Sequence, residues 1–520
     1  MKTLTTFAAL LLAAGIVTAN PLRWAAQNDI QTLDPHSQNH SATTTIQGYA
    51  YEGLTRYTEK FEVEPALATK WTMVTPSLVR FELRKGVKFH DGSPFTADDV
   101  LFSLQRIKHP ASNMIIYASG IKEVKKVDSH TVDFVLDGPN PVLTRNLTYV
   151  RIISKAWAMK NRSENPQDFK AKEDTYASRN AMGTGPFKIT SWTPDQKVTM
   201  VANKDWWDKP TGNVSEVTYL PIKSDATRVA ALLSGALDLL TDLPPQDVAK
   251  LKADPRLKVI EGPENRTIFF ALDIGSDEIK GASVKGKNPF KDKRVREALS
   301  LAIDREAIKR SLMRGLSIPA AVMVAPVAYG WSADLDVVAK PDVARAKQLM
   351  TEAGYAEGFE VPLACPNDRY VNDEEICQAV VSMWARIGVK AKLQTQPMTQ
   401  HSVALQRFDL PLYMYGWGVT TFDAQYTLQD IVHTKTSGAD GKGNYSRVSD
   451  AKVDALVQQM KVETDATKRL AQMQEALKRT RDEFLFIPIH HQVRPWAMKA
   501  GVTIPHSAND APQARWATVK

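Results

Sequence analysis

Cysteine is nearly absent from this sequence: Cys365 and Cys377 are the 2 cysteines among 520 residues. A structural zinc site built on thiolates needs more ligands of this kind, and the spacing of these two fits no zinc motif. In an oxidising compartment a pair of cysteines favours a disulfide. We therefore predict a Cys365–Cys377 disulfide, with a two-ligand metal site as the alternative.

Long apolar runs are missing too, except at the N-terminus. Residues 1–19 combine one lysine, an apolar run from Phe7 and small residues up to Ala19, a pattern typical of a secretory signal that is cleaved after about Ala19. The apolar run is too short to span a bilayer, and no cysteine near the cut could carry a lipid. The sequence therefore predicts an exported protein with no membrane insertion and no lipid anchor.

Basic runs and glycine-rich phosphate loops are likewise absent. The formal net charge is +8, but lysines and arginines are interspersed with acids along the chain. Nucleic-acid binding calls for a basic stripe with stacking aromatic residues, or for a known module. The sequence shows neither, so we expect no nucleic-acid partner and only a mild attraction for anionic solutes.

Hydrolase motifs such as HExxH and GxSxG are not found. Within residues 88–107, His90 stands beside Asp91, which raises the question of an acid–base or metal site. The following Asp-Gly is a turn dipeptide, however, and Thr96 opens a capping box in front of an apolar helix. A single histidine without a second ligand at helical spacing favours the structural interpretation, and a secreted hydrolase is a remote alternative.

The chain has an ordinary globular composition, 43% hydrophobic and 24% charged, in a length that exceeds one compact core. Strand and helix patterns alternate, which predicts an α/β protein of at least two domains. Residues 131–136 and 197–202 alternate as half-buried strands, and residues 292–313, 343–353 and 453–460 have helical periodicity. No internal repeat or low-complexity linker separates these segments, so we expect interwoven domains.

The most informative unit is residues 359–394. A strand that ends near Cys365 is followed by a loop with Arg369, by a helix with a capping-box pattern at Asn372 and Glu375, and by a second strand. This is a βαβ unit, and ligands of open α/β sheets bind at the carboxyl ends of such strands. Arg369 is therefore placed to meet a bound anion, with an ordinary surface arginine as the alternative.

Four segments together resemble one family. They are EPALATKW (64–71), KFHDGSPFTADDVLFSL (88–104), MGTGPFKI (182–189) and DKRVREALSLAIDREAI (292–308). The chain resembles the large periplasmic solute-binding proteins of the peptide, nickel and opine type (bacterial extracellular solute-binding protein family 5), which serve ABC importers. The resemblance covers nearly the whole chain from about Leu22 onward.

This resemblance implies a type II periplasmic-binding-protein fold of the large cluster, with two hinged lobes, an extra subdomain and the ligand in the interlobe cleft. Lobe I is expected at residues 20–268 plus 486–520, with the extra subdomain at about 52–182, and lobe II at 269–485. Such a protein captures its solute in the periplasm and delivers it to an inner-membrane permease and its ATPase. It is no enzyme, needs no cofactor and is expected to be a monomer; a sensor that hands its ligand to a receptor is the alternative.

In members of the family, several separated segments line the cleft, and we assign the matching positions of this sequence to the ligand-binding site. Arg266 follows the start of a strand near the expected interlobe crossing, with simple pairing to an acid as the alternative. Trp417 lies between glycines, which indicates backbone close to a ligand, with a core tryptophan as the alternative. One of His490 and His491 is expected to face the cleft and the other solvent, because neighbours on a strand point to opposite faces. The ligand-binding residues carried over are Thr184, Arg266, Arg369, Tyr415, Gly416, Trp417, Thr420, Asn444, Tyr445 and His491.

Two positions bear on the identity of the solute. Dipeptide-type members carry an arginine in the loop that Arg369 matches, where it binds the peptide carboxylate. The same members place an aspartate three residues after the Gly-Trp tryptophan to bind the α-ammonium; here that position is Thr420, and the next acid is Asp423. An ammonium in a closed cleft without a carboxylate is costly. We expect an opine-like solute with a carboxylate or phosphate, with a di- or oligopeptide bound through Asp423 and an anionic, nickel-type metal chelate as alternatives.

Overall fold

The strands form one large mixed sheet and several small sheets. A computed structural model describes residues 20–520, so the predicted signal at 1–19 lies outside the described residues. The strands are β1 (Pro21–Ala26), β2 (Thr55–Tyr57), β3 (Val63–Pro65), β4 (Ala68–Thr75), β5 (Leu78–Leu83), β6 (Ile121–Asp128), β7 (Thr131–Leu136), β8 (Phe187–Thr193), β9 (Lys197–Ala202), β10 (Glu216–Pro221), β11 (Leu239–Leu240), β12 (Leu257–Leu272), β13 (Ser317–Pro319), β14 (Phe359–Pro366), β15 (Val389–Gln396), β16 (Leu412–Gly418), β17 (Phe486–Lys499), β18 (Val502–Thr503) and β19 (Thr518–Val519).

The helices bury one apolar face each, and many of them begin at a serine, threonine or aspartate N-cap. They are α1 (Ser41–Ala50), α2 (Ala97–Ile107), α3 (Leu143–Asn146), α4 (Lys155–Lys160), α5 (Tyr176–Arg179), α6 (Asp225–Leu233), α7 (Val248–Lys252), α8 (Lys293–Leu301), α9 (Arg305–Ala307), α10 (Val343–Glu352), α11 (Asp373–Ala385), α12 (Met398–Gln406), α13 (Ala424–Thr427), α14 (Ala451–Met460) and α15 (Ala466–Asp482). Within residues 20–520, no helix has the length and apolar character that a membrane crossing requires.

The large sheet has the strand order β15-β14-β16-β12-β17-β11-β1-β10-β9-β8, and β13 also pairs with β17. Its longest strands, β12 and β17, lie at the centre and pair antiparallel. Residues 257–263 pair with 493–499, the register then shifts, and residues 267–271 pair with 486–491. The shift at residues 264–266 divides the sheet into a half with β1 and β8–β11 and a half with β14–β16, which gives the two-lobed arrangement. The boundaries predicted at 268/269 and 485/486 stay predictions, as does the subdomain at about 52–182.

A second sheet, of order β4-β5-β7-β6, lies in the region of the predicted extra subdomain, and α2 precedes two of its strands. The N–H of Thr96 donates to the Asp99 carboxylate at 2.9 Å, as the capping box requires. His90 forms a hydrogen bond from Nε2 to the carbonyl of Gly185 at 3.1 Å. The structural interpretation of this segment is confirmed, and the described residues contain no group of three metal-ligating side chains.

The predicted strands at 131–136 and 197–202 are confirmed, but the predicted helix at 292–313 is interrupted. Helix α8 ends at Leu301, and Asp304 caps α9 by accepting the N–H of Ala307 at 2.8 Å. Wider π-type turns follow over residues 308–312. The prediction of one helix is wrong there because the aspartate competes with the backbone for its N–H groups and starts a new turn.

The predicted βαβ unit is formed by β14, α11 and β15, with β14 parallel to β15. The Cys365–Cys377 disulfide is present and ties the end of β14 to α11, with 6.7 Å between the Cα atoms. The capping box predicted at Asn372 and Glu375 is wrong, because Asn372 has a left-handed backbone (φ 54°) and makes no side-chain capping bond. Asp373 holds this junction instead, since its carboxylate accepts N–H groups from the preceding loop.

Candidate functional site

A polar cavity of about 40 Å³ lies where the start of α1, the loop after β14 and strand β16 approach the register shift of β12. The elements come from both halves of the large sheet, so the cavity is part of the interlobe cleft. Six of the predicted ligand-binding residues meet there: Arg266, Arg369, Tyr415, Gly416, Trp417 and Thr420. The remaining lining residues are Asn39, His40, Ser41, Thr44, Tyr370, Met398, Gly418 and Tyr426.

Arg369 is a buried cation, 9% exposed, and among the described residues no carboxylate oxygen lies within 4.0 Å of its guanidinium. Asp373 fixes its backbone by accepting the N–H of Arg369 at 3.0 Å and that of Tyr370 at 2.9 Å. The guanidinium lies over the ring of Tyr370, 5.2 Å from its centroid. Burial and the charge of Arg266 lower the pKa of Arg369. This cation is held in place by backbone and aromatic contacts without being neutralised.

Arg266 lies at the register shift and is fully engaged. It donates from Nε to Glu264 at 2.8 Å, from Nη2 to the Ser41 hydroxyl at 3.0 Å and from Nη1 to the Gly416 carbonyl at 3.4 Å. Both interpretations of Arg266 apply, since it pairs with an acid and also lines the cavity. Because Ser41 begins α1 and Gly416 lies in β16, Arg266 joins the two walls of the cleft.

A neighbouring cavity of about 30 Å³ shares Ser41, Arg266 and Arg369 and holds two carboxylates, Asp242 and Asp510. Both carboxylates are hydrogen-bonded to the buried guanidinium of Arg494, with Nη2 to Oδ2 of Asp510 at 2.6 Å. The pKa of Arg494 is raised by these carboxylates against the effect of burial. These two acids, which line a cavity together with Arg369, are therefore already paired with another arginine.

The start of α1 adds positive potential to the same cavity. His40 is the N-cap, makes no side-chain capping bond and is followed by a first turn without acidic residues. The positive end of this ten-residue helix therefore faces the cavity unneutralised. His40 Nδ1 is buried and has no hydrogen-bond partner. Burial, Arg369 and Arg266 lower the pKa of His40 to about 3, so its imidazole is neutral.

Aromatic side chains form the opposite wall. Trp417 stacks on Tyr426, with ring centroids 5.3 Å apart, and its indole N–H is buried without a partner. The Thr420 hydroxyl lies 2.9 Å from the hydroxyl of Tyr117, which also contacts Tyr426 at 3.1 Å. Asn39 donates to the Tyr426 hydroxyl at 2.9 Å. This network links the extra-subdomain side of the cleft to the segment after β16.

The cavity that contains Arg369 and Thr420 has no Asp or Glu among its described lining residues. Asp423, the acid on which the alternative of a bound peptide depends, is 2% exposed and forms a bidentate pair with Arg469 at 2.7 and 2.8 Å. It also caps α13 by accepting the N–H of Gln425 at 3.1 Å. Asp423 is therefore committed to the fold and is not free to bind an amine.

Comparison with known families identifies the chain. The model of the bacterial extracellular solute-binding proteins, family 5 (middle region), matches residues 62–439. The chain belongs to this family. Its members bind small solutes outside the cytoplasm for ABC importers and are not enzymes.

Individual family 5 relatives differ in what they bind. The chain is 28% identical to the probable deoxycholate-binding periplasmic protein YgiS of Escherichia coli K12, covering 93% of this chain and 91% of the relative. It is 26% identical to the dipeptide-binding protein of the same organism, over 90% and 88%. Among solved structures, the MoaA protein of A. tumefaciens R10 in complex with mannopinic acid superposes with a TM-score of 0.83 at 25% identity, covering 96% and 100%.

Two other predicted residues lie outside the lining of this cavity. Thr184, fully buried in the loop before β8, donates from its hydroxyl to Glu52 at 2.8 Å. The side-chain amide of Asn444 links two parts of the surrounding loop, because it donates to the carbonyls of His433 and Val448 at 3.0 and 2.8 Å. A ligand-binding role for Thr184 and Asn444 stays a prediction.

Tyr445 lies behind the cavity wall, where its ring is 6.5 Å from that of Tyr415. His491 is buried and engaged at both nitrogens, with Thr267 at 2.8 Å and Asp336 at 2.7 Å. His490 is also buried, with neither nitrogen hydrogen-bonded. The prediction that one of these two histidines faces solvent is wrong, because β17 is a central strand that is covered on both faces. Solute contacts by Tyr445 and His491 stay predictions.

The sequence reasoning missed the contribution of the α1 segment. Asn39, His40, Ser41 and Thr44 line the cavity, and none of them belongs to a segment that we carried over from the family. A signal was available, because a polar Asn-His-Ser sequence precedes a helix-compatible segment just after the first strand. In an α/β protein such a helix start is a place where anions bind.

Proposed function

We propose that this family 5 protein is the periplasmic receptor of an ABC importer for a peptide-sized organic solute that carries a carboxylate or phosphate and no free α-amine, as an opine-like compound does. The observation that carries the proposal is the buried Arg369 guanidinium in the cleft, which has no carboxylate within 4.0 Å among the described residues. An unpaired buried charge is costly, typically several kcal/mol. An anionic solute group that forms two parallel hydrogen bonds with the guanidinium offsets this cost.

Three further features support an anion at this place. The α1 N-terminus, the free Nδ1 of His40 and the free indole N–H of Trp417 surround the same cavity. Neutral imidazole and indole groups hydrogen-bond a carboxylate or a hydroxyl without adding charge. Helix N-termini favour anions through their dipole and their unpaired N–H groups.

The same cavity disfavours a peptide with a free N-terminus. Thr420 occupies the position of the ammonium-binding aspartate and is hydrogen-bonded to Tyr117, and Asp423 is held by Arg469. A desolvated ammonium therefore has no carboxylate partner at this point. The mannopinic-acid complex of MoaA and the name of YgiS show that relatives include binders of non-peptide acids, while the dipeptide-binding relative supports the peptide alternative.

The capture mechanism follows from where the contacts lie. Ser41 is on α1, Arg369 is on the loop after β14, and Arg266 lies between them at the register shift. A solute that touches all three stabilises the closed arrangement of the lobes, because only differential contacts shift a conformational equilibrium. We further propose export to the periplasm with cleavage after about Ala19, delivery to an inner-membrane permease with its ATPase, and a monomeric state.

The test is to identify the solute that the protein retains. The protein is purified from the periplasm of the organism that makes it, the bound solute is released by denaturation, and its mass, charge and metal content are measured. We expect a single acidic solute without a free α-amine. A ladder of peptides would contradict the proposal, and an acidic solute that travels with bound nickel would favour the metal-chelate alternative.

A matched variant sharpens this test. Thr420→Asp restores a carboxylate at the position where the peptide-binding members have one, and it places a negative charge near Arg369. We expect this variant to be purified without the acidic solute. Retention of the same solute by Thr420→Asp would place the anion elsewhere.

A further inference from the structure

Behind α1 lies a second and larger cavity, of about 100 Å³. Its described lining comes from residues 48–61, 148–151, 186, 206 and 507–516. We refer to it as the side pocket. Five residues line both the side pocket and the part of the cleft next to Arg266, so the two spaces adjoin; they are Gly48, Tyr149, Arg151, Asn509 and Gln513.

Glu52, the acidic residue among the described lining of the side pocket, already accepts several hydrogen bonds. Glu52 accepts hydrogen bonds from the Thr184 hydroxyl at 2.8 Å and from the indoles of Trp207 at 2.9 Å and Trp206 at 3.2 Å. Burial raises the pKa of Glu52, against the effect of these donors. The charge of Glu52 acts on Arg151 and Arg515 only from beyond salt-bridge distance, so neither guanidinium has this carboxylate as a direct partner.

The basic residues of the side pocket are of two kinds. Arg56 has its own partners, Glu64 and Asp208, each at 2.7 Å. Arg151 and Arg515 have none: within residues 20–520, no carboxylate oxygen lies within 4.0 Å of either guanidinium. Their side chains donate only to backbone carbonyls, Arg151 to Tyr51 at 3.0 Å and Arg515 to Tyr57 at 3.5 Å.

Both arginines are also half-buried. Burial lowers the pKa of Arg151, and burial together with Arg56 lowers the pKa of Arg515 to about 10. Aromatic rings complete the wall, and the Arg515 guanidinium lies 4.5 Å from the ring centroid of Trp516. The side pocket thus has the same character as the cavity at Arg369, with partly desolvated guanidinium groups beside aromatic surfaces and no free carboxylate.

We propose that the side pocket binds a second anionic group of the same solute, a carboxylate or phosphate, so that the transported compound is an elongated dianion. This inference rests on the proposed function, in which the first anionic group lies at Arg369. The part of the solute between the two groups passes the start of α1 and the shared residues Tyr149 and Asn509. A compound with one acidic end leaves the two half-buried guanidinium groups of the side pocket without an anionic partner, which is unfavourable.

The test uses selenate, a divalent oxyanion that is located by its anomalous scattering. Crystals of the full chain, freed of solute, are soaked in selenate, and we expect one anomalous peak beside Arg369 and a second one in the side pocket. A peak at Arg369 without one in the side pocket overturns the present inference and leaves the proposed function standing. The lack of a peak at Arg369 contradicts the proposed function itself, and with it this inference.

Two variants complete the design. In Arg515→Gln we expect the side-pocket peak to vanish and the Arg369 peak to persist, which also shows that the variant is folded. Arg310→Gln, at an exposed position, removes the same charge and should keep both peaks. A side-pocket peak that persists in Arg515→Gln indicates an adventitious ion only and overturns the inference. For the solute released from the native protein, we expect Arg515→Gln to lower the affinity by about 10- to 100-fold, as loss of a charged hydrogen bond does.

Discussion

Two buried arginines lie beside each other in the cleft and differ in their surroundings. Arg494 is hydrogen-bonded to Asp242 and Asp510, whereas Arg369 has no carboxylate within 4.0 Å among the described residues. The sequence does not predict this difference: Arg494 lies within β17, and Arg369 lies in the loop after β14. Only the three-dimensional arrangement shows that one guanidinium is paired with carboxylates and that the other is not.

The comparison predicts that the paired arginine matters most for stability. Arg494→Gln leaves Asp242 and Asp510 buried without their cation, which should lower the free energy of unfolding by about 3–5 kcal/mol. Urea denaturation followed by circular dichroism measures this change. A loss below about 1 kcal/mol would mean that the carboxylates find other partners, and the distinction between the two arginines would weaken.

The disulfide under the Arg369 loop should affect stability and leave binding largely intact. Replacing Cys365 and Cys377 together by alanine removes a short covalent loop between β14 and α11, and we expect a loss of about 2–3 kcal/mol in the free energy of unfolding. Solute affinity should change much less, because Asp373 holds the loop backbone independently. If affinity falls as much as stability does, the disulfide itself positions Arg369.

His490 and His491, neighbours on β17, give a second comparison between a buried group with partners and a buried group without them. His491 has two partners and His490 has none. His491→Phe leaves Asp336 and Thr267 unpaired and should cost about 1–3 kcal/mol of stability, whereas His490→Phe should be neutral or stabilising because it removes an unsatisfied polar group. Thermal unfolding of the two variants side by side checks this. A strongly destabilised His490→Phe would indicate a partner of His490 beyond the protein's own side chains.

His40 gives a defined pH dependence of stability. Its pKa is lowered to about 3 in the folded protein, compared with about 6.5 in an unfolded chain. The unfolded state therefore takes up this proton first, so the contribution to stability is complete above pH 6.5 and is lost as the pH falls toward 3, by roughly 1.4 kcal/mol per pH unit. His40→Asn should reduce the slope of stability against pH between 6 and 4 by about one proton; an unchanged slope would contradict the low pKa.

Much of this arrangement could be predicted from sequence. The strands at 131–136 and 197–202, the βαβ unit and the disulfide follow from local patterns and from the two cysteines. The residues of β16 were found because the Gly-Trp-Gly context is local and matches the family. Strand alternation and the Gly-Trp-Gly context each lie within one short segment, which is why the sequence predicts them.

Some errors arose where distant residues decide the outcome, and others where a local cap overrides the helical periodicity. The commitment of Asp423 depends on Arg469, which lies on another helix. The break before Asp304 depends on a cap that outcompetes the helical periodicity around it. The burial of both His490 and His491 depends on the position of β17 at the centre of the sheet, which the sequence of that strand alone does not give.

The most direct test of the central claim is to titrate the solute released from the native protein into wild type, Arg369→Gln and the Arg310→Gln control by isothermal calorimetry. If Arg369 binds a buried anionic group, Arg369→Gln should lose about 2–5 kcal/mol of binding free energy, while the control keeps the wild-type affinity. Stability of the unliganded Arg369→Gln protein should equal or exceed that of wild type, because an unpaired buried charge is removed. Equal affinity of Arg369→Gln and wild type would contradict the account.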